Sequence, residues 1–264
     1  MTKRNPKQEG SNLFDCIPQV GPCRNQCNQC FYNRPGAFYV PIDQPSIPTS
    51  EEVGDGICRI NCGNDSNLQR DLVIETAKQY KHFFFNTSIP KFDFPGPVVF
   101  TANPKEEKPV FMFGETKIPE NMMFIRLRVS PTNLLHIEHA IRNITTLGVN
   151  CVLTYMAYYD QLPPGTIKPP KQENVRKNLE DWDKNICILS DRKDFGRIAY
   201  TWKVRHINSY WCPTSEYMRY VLKRMKNIGG RLVTMCGTPE SGYCKDCGNC
   251  ENYYWQTKKH LEEI

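Results

Sequence analysis

No stretch of this chain approaches the roughly 20 consecutive apolar residues of a membrane-spanning helix. The first ten residues, Met1 to Gly10, are polar and offer none of the apolar core that a secretory signal carries. The sequence therefore predicts a cytoplasmic protein with no membrane contact. No internal repeat is visible. Histidine is scarce, and none of the five (His82, His136, His139, His206, His260) makes a recognisable metal pair with a carboxylate. His136 and His139, three apart on a predicted helix, read as surface residues. A Gly-rich phosphate loop, a nucleophile elbow and an HExxH helix are all missing, so none of those chemistries finds a foothold. The net charge of +6 leans toward anionic partners but falls short of defining a nucleic-acid binder. With 39% hydrophobic and 23% charged residues in 264, the composition is that of an ordinary folded chain, one large domain plus an appendage.

Cysteine is abundant. Thirteen is an odd number, and in a reducing compartment clustered cysteines read as metal ligands rather than disulfides. Cys23, Cys27 and Cys30 fall in the spacing C-x3-C-x2-C. Three thiolates this close can hold three irons of one [4Fe–4S] cube and leave the fourth iron open to a substrate or cofactor. A zinc site is the rival. It requires a fourth ligand, for which Cys16, Cys58 and Cys62 are the candidates.

The loop Cys23-Arg24-Asn25-Gln26-Cys27-Asn28-Gln29-Cys30, placed just after a predicted first strand, resembles the cluster loop of the radical S-adenosylmethionine (radical SAM) enzymes. The resemblance spans roughly residues 11–210, and only the cysteine loop is specific. It implies that SAM chelates the open iron and is reductively cleaved to methionine and a 5′-deoxyadenosyl radical, which takes hydrogen from a substrate. It also implies an electron donor such as flavodoxin or ferredoxin.

The rest of the chain alternates strand and helix patterns. Strands are predicted over 12–17, 57–61, 82–86, 97–101, 123–129 and 150–155. Helices are predicted over 66–80, capped by Asp65 or Ser66, and from Ser130-Pro131-Thr132 to Gly148, with Leu134, Ile137, Ile141 and Ile144 on one face. A weaker helical segment falls at 172–184, and another helix over 214–228 ends at Gly229-Gly230. Alternation of this kind means an α/β fold with parallel strands. The resemblance narrows it to a partial (β/α)6 barrel. Residues 1–10 are expected to be a disordered tail, 11–210 the barrel, and 211–264 a helix with a small cysteine-rich C-terminal extension.

Sites in parallel α/β folds gather at the carboxyl ends of strands. After the second strand come Cys62, Gly63, Asn64 and Asp65, where the resemblance implies a stretch that binds the SAM amino group; a strand-to-helix turn capped by Asp65 is equally compatible. Phe31 and Tyr32 follow the third cysteine, whereas the family often carries an apolar or aromatic residue before it, the position of Gln29 here. They serve either adenine contact or packing under the loop. Thr101 and Asn103 end the fourth strand, where ribose binding and ordinary turn chemistry both fit. On the fifth strand Arg126 and Arg128 share a face. If that face points inward they require an anion, such as the SAM carboxylate or an acidic substrate; an outward face would leave them solvated.

Cys236, Cys244, Cys247 and Cys250 form a second group, C-x7-C-x2-C-x2-C, which suits a second [4Fe–4S] cluster or a structural zinc. Cys212 is a spare ligand. Tyr253, Tyr254 and Trp255 are placed to cover that site. Two functions emerge. One is a radical SAM enzyme acting on a small-molecule or nucleotide substrate. The other is a zinc-stapled nucleic-acid-binding protein that uses the same cysteines, the positive charge and the C-terminal aromatics.

Overall fold

The structure is a computed structural model that describes residues 4–27, 29–32, 43–109, 118–159, 162–163, 166–167, 186–189, 198–203 and 210–264. The predicted helical segment 172–184 and His206 lie outside them. Seven strands build one sheet. They are β1 (Leu13–Cys16), β2 (Ile57–Ile60), β3 (His82–Thr87), β4 (Val98–Thr101), β5 (Met122–Val129), β6 (Cys151–Tyr155) and, last, β11 (Val233–Met235). All pair in parallel and in chain order, and the sheet curls into a half-barrel.

The half-barrel differs in detail from the partial (β/α)6 barrel that the resemblance implies. It has a seventh strand, drawn from the C-terminal region, and helices do not fill every crossover. Residues 88–97, between β3 and β4, contain none. The helix α2 (Arg70–Ala77) between β2 and β3 is shorter than predicted. Its N-cap is Gln69 in a left-handed conformation (φ 51°), not Asp65 or Ser66, whose side chains are engaged elsewhere.

The convex face is packed in two portions. Around β1 to β4, Cys16, Cys58, Ile60, Phe85 and Val98 bury against Val73 and Ala77 of α2 and against Tyr80 and Phe94. Around β5 and β6, Ile125, Leu127 and Val129 meet the helix α3 (Leu134–Thr146), whose residues Leu134, Ile137, Ala140, Ile141 and Ile144 recur at helical spacing and are all buried. The helix α4 (Ser215–Gly229) lies beside α3 and buries Tyr217, Val221 and Met225. Thr214 caps it by accepting a bond from the Tyr217 N–H at 3.2 Å.

A second, antiparallel sheet was not foreseen. It orders β10 (Tyr210–Pro213), β9 (Ile198–Lys203), β8 (Ile186–Leu189) and β7 (Thr166–Ile167). It joins the main core through Ala199, Tyr200 and Trp211. Two short helices complete the order of elements, α1 (Ser50–Val53), closed by a Thr49–Glu52 capping box, and α5 (Cys244–Cys247). The chain ends in α6 (Asn249–Glu263). Among the described residues, no helix is long and apolar enough to cross a membrane.

The concave face is built in levels, because every second residue of a strand points inward. At the lowest level Leu13, Ile57, Phe84, Val99, Phe124 and Val152 form an apolar floor, and Tyr253 and Tyr254 of α6 pack against it. Two residues further along the strands the interior turns polar, with Asp15, Arg59, Asn86 and Arg126. The next step reaches the rim, where Arg128 stands. The expected tail is also anchored to this end of the sheet. Pro6–Gln8 form a 3₁₀ turn, Gln8 is fully buried, and its amide donates to Asp15 at 2.7 Å.

Gly229 lies where α4 closes on both α3 and β11. A Cβ there would lie 2.5 Å from Val233, 2.7 Å from Ile141 and 2.9 Å from Thr145. Gly229→Ala should therefore cost about 1–3 kcal/mol by overpacking. Gly242→Ala, whose Cβ meets only Lys7 at 3.9 Å, should cost little. Urea unfolding midpoints of the two variants would separate these outcomes.

Candidate functional site

The three N-terminal cysteines follow β1 at the carboxyl rim of the half-barrel. After Cys16 the chain makes one more bridge, between Ile17 and Ser46, and then turns across the rim. Ile17, Cys23 and Tyr32 bury together, with Cys30 and Leu68 at the edge. Gln26 (φ 46°) and Gln29 (φ 51°) each stand directly before a cysteine in the left-handed region. Side chains there cost of order 1–2 kcal/mol, and the two positions bend the loop back on itself. The Gln26 N–H reaches the Cys23 carbonyl at 3.4 Å, and the Cys30 N–H reaches the Cys27 carbonyl at 3.3 Å.

The result is a group of thiols that feel one another. Burial pushes the Cys23 thiol up to about 11; the backbone at Asn25 opposes this, while Asp65, Cys27 and Cys30 add to it. Burial also raises Cys27, then Cys30 raises it further, and Arg128 pulls it back. A cation bound among them would hold them as thiolates.

The loop after β2 is tied to this site by packing and hydrogen bonds. A Cβ on Gly63 would lie 2.6 Å from the Tyr32 ring and 2.7 Å from Ile17, so only glycine lets the cysteine loop settle here. Tyr32 is buried, and its hydroxyl donates to the Gly21 carbonyl at 3.2 Å. It packs under the loop, whereas Phe31 is 40% exposed. Asp65 is buried and spends its carboxylate on the protein. It accepts from the Asn67 N–H (3.0 Å), the Thr87 hydroxyl (2.8 Å), the Ser88 N–H (2.7 Å) and the Ser88 hydroxyl (2.8 Å). Asn25 of the cysteine loop donates to the same Ser88 hydroxyl. Asn64 ties the turn to the loop; its side-chain oxygen accepts from the Asp65 N–H at 2.8 Å, and its side chain also hydrogen-bonds Tyr32.

Arg128 faces the cysteines from β5. It is largely buried, and it interacts electrostatically with Glu106, Cys27, Cys30 and Tyr158. Burial lowers its pKa, and those four neighbours restore part of the loss. Asn103 fixes the backbone of this residue: it donates to the Arg128 carbonyl and accepts from the Arg128 N–H, each at 2.7 Å. Asn133 donates to the same carbonyl at 2.9 Å and to the Glu106 carbonyl at 3.0 Å. Tyr158 donates to Glu106 at 2.6 Å, and burial raises the Glu106 pKa, with Tyr158 and Arg128 opposing. Asn103 is thus a clamp on Arg128. Thr101 sits half-buried one level below, paired in register with Arg126.

The C-terminal cysteines also arrive on the concave face. Cys236 follows β11 and continues its ladder, its N–H bonding the Leu153 carbonyl at 2.8 Å. Cys244 and Cys247 lie on α5, and Cys250 in the first turn of α6. Gly248 (φ 61°) makes the corner between the two helices. Asn249 donates to the Met235 carbonyl at 2.6 Å, which fastens α6 to β11. All four cysteines line one cavity together with Leu13, Arg59, Phe124 and Arg126. Cys62 adjoins it, accepting from Arg59 at 3.3 Å. Burial pushes Cys62 up to about 11 and Cys244 up to about 12, while Arg59 opposes both. Cys16 and Cys58 belong to the convex core, not to either group. Cys212 lies in the second sheet.

Asp15, Arg59, Glu106 and Asn133 were not singled out from the sequence, although all four shape the site. One signal was present. Asp15 and Arg59 are opposite charges within short apolar strands that turn out to be paired in register. Their guanidinium–carboxylate contact is 2.6 Å, with side-chain exposures of 9% and 4%.

The donor chemistry of the rim suits an iron–sulfur cube: three soft thiols on one loop, with a guanidinium beside them. Among the described residues, no three His, Cys, Asp or Glu side chains stand as ligands of a single metal ion. Comparison of the chain with family models, with curated proteins and with solved structures returns no match.

Proposed function

We propose that the protein is a radical SAM enzyme. The observation that carries this reading is the position of the C-x3-C-x2-C loop: it leaves the first strand of a parallel half-barrel and lies on the rim where β2, β3, β4 and β5 also end. Cys23, Cys27 and Cys30 would each hold one iron of a [4Fe–4S] cluster. When bound, that cluster supplies the electron that cleaves SAM. The half-barrel corresponds, on this reading, to the superfamily's partial (β/α)6 barrel with one strand added.

The chain's own residues bind and orient. Arg128 stands beside Cys27 and Cys30, and its guanidinium suits the SAM carboxylate. Asn103 and Asn133 hold its backbone, and Glu106 limits its swing. Asn64 and the backbone carbonyls of residues 63–65 are the acceptors for the SAM ammonium. The Asp65 carboxylate, already saturated, positions them. Phe31 is exposed at the loop and available to the adenine; Tyr32 supports the loop from below. Thr101 is a ribose contact by its level on β4. The basic concave face favours an anionic substrate of small-molecule or nucleotide size. The electron donor would be a small carrier such as flavodoxin or ferredoxin in a reducing cytoplasm.

Anaerobic reconstitution followed by reduction with SAM present should yield 5′-deoxyadenosine, and Cys27→Ala should abolish it. Bound zinc without sulfide, together with salt-sensitive nucleic-acid binding, would instead support the zinc-stapled reading.

Arg128→Gln removes one charge-assisted contact, worth about 1.5–3 kcal/mol. The SAM concentration for half-maximal 5′-deoxyadenosine formation should rise roughly 10- to 100-fold, with iron content unchanged. An unchanged SAM dependence would remove Arg128 from the binding site.

A further inference from the structure

The second group of thiols is independent of the first and lies one level deeper in the half-barrel. Cys236, Cys244, Cys247 and Cys250 line one small cavity, part of it open to solvent. Its opposite wall carries two guanidiniums. Arg59 is committed to Asp15 but also reaches Cys62, Cys250 and Cys244 electrostatically. Arg126 donates to the Asn86 side chain at 3.3 Å, and among the described residues no carboxylate pairs with it. A half-buried cation without an anion is costly, and the groups that face it here are thiols.

The ligand spacing bears on the occupant. Cys244, Cys247 and Cys250 form a C-x2-C-x2-C run with Cys236 apart, and all four line the same cavity. That run is the spacing of ferredoxin-type loops, in which each cysteine holds its own iron of a cube. Its thiolate-ligated form is anionic, which matches the positive wall.

We propose that these four cysteines hold a second, fully ligated iron–sulfur cluster between the apolar floor and the rim, with Cys236 on its exposed side and Arg59 and Arg126 balancing its charge. With every iron held by protein, it has no open position for substrate and serves electron transfer.

The test is the full chain carrying Cys23→Ala, Cys27→Ala and Cys30→Ala, reconstituted with iron and sulfide without oxygen. About four irons and four sulfides should remain, with an electron paramagnetic resonance signal on reduction. One zinc without sulfide, or no metal at all, overturns the proposal. Should that variant not fold, the otherwise unaltered chain carrying Cys244→Ser and Cys250→Ser is compared with wild type. It should lose about four of about eight irons, and no loss overturns the proposal. Iron confined to the C-terminal group in the wild type would defeat the radical SAM reading while supporting this one.

Discussion

Strand β5 sits near the middle of the sheet and must satisfy two environments at once. Ile125, Leu127 and Val129 are almost wholly buried against α3 and α4. The strand's pleat then forces Phe124, Arg126 and Arg128 to the concave side. A central strand cannot turn such residues to solvent as an edge strand can, so the interior has to supply partners for two cations. Arg128 finds Glu106 and the rim cysteines; Arg126 finds Asn86 and the deeper ones. The two groups of thiols are arranged around this one alternation. Arg126 and Arg128 themselves stand one inward repeat apart, roughly 6.6 Å along the strand.

Buried polar side chains then fix the strand ends against each other. Asp65 gathers donors from the β3 end and its own turn, and Asn25 adds the cysteine loop through Ser88. Asn103 and Asn133 perform the same task between β4, β5 and the start of α3. Asn67 reaches Thr87 and the carbonyls of Ile89 and Lys91. Fully bonded networks of this kind rigidify what they join. The cysteine loop, with two residues in left-handed strain, is held against a rim that these bonds make stiff.

Much of this was legible in the sequence because the signals were local. Short apolar runs such as Val98–Thr101 and Met122–Val129, each followed by a polar turn, identify buried parallel strands. The spacing of Leu134, Ile137, Ile141 and Ile144 identifies α3. What escaped depends on contacts distant in the chain. Strand β11 has three residues, too few to show a period, and exists because Cys151 to Leu153 offer a free edge. Ile198–Lys203 and Tyr210–Pro213 become strands by pairing with each other. Helix α2 begins late because Asp65 and Ser66 bond to strand-end residues rather than cap it. Residues 4–10 pack against the sheet because Gln8 finds Asp15, a partner supplied by a strand that the tail's own residues do not point to. Arg126 and Arg128 could be placed on one face from the pleat alone, but whether that face was wet or buried required the strand order.

The C-terminal region answers a difficulty inherent in a half-barrel. Its concave floor, Leu13, Ile57, Phe84, Val99, Phe124 and Val152, would lie open to water if the strands stood alone. Burial of such side chains is worth about 1.5–3 kcal/mol each, so a cover is strongly favoured. Tyr253 and Tyr254 of α6 provide it, and Tyr254 also meets His82 at the foot of β3. To reach the floor, the chain leaves β11 at Cys236 and turns through α5 and Gly248. That path carries Cys244, Cys247 and Cys250 across the interior. The requirement to cover an apolar floor therefore also delivers thiols to the level of Arg59 and Arg126. Helix α6 thus packs into the floor through Tyr253 and Tyr254, and the cysteine-rich segment is carried across with it.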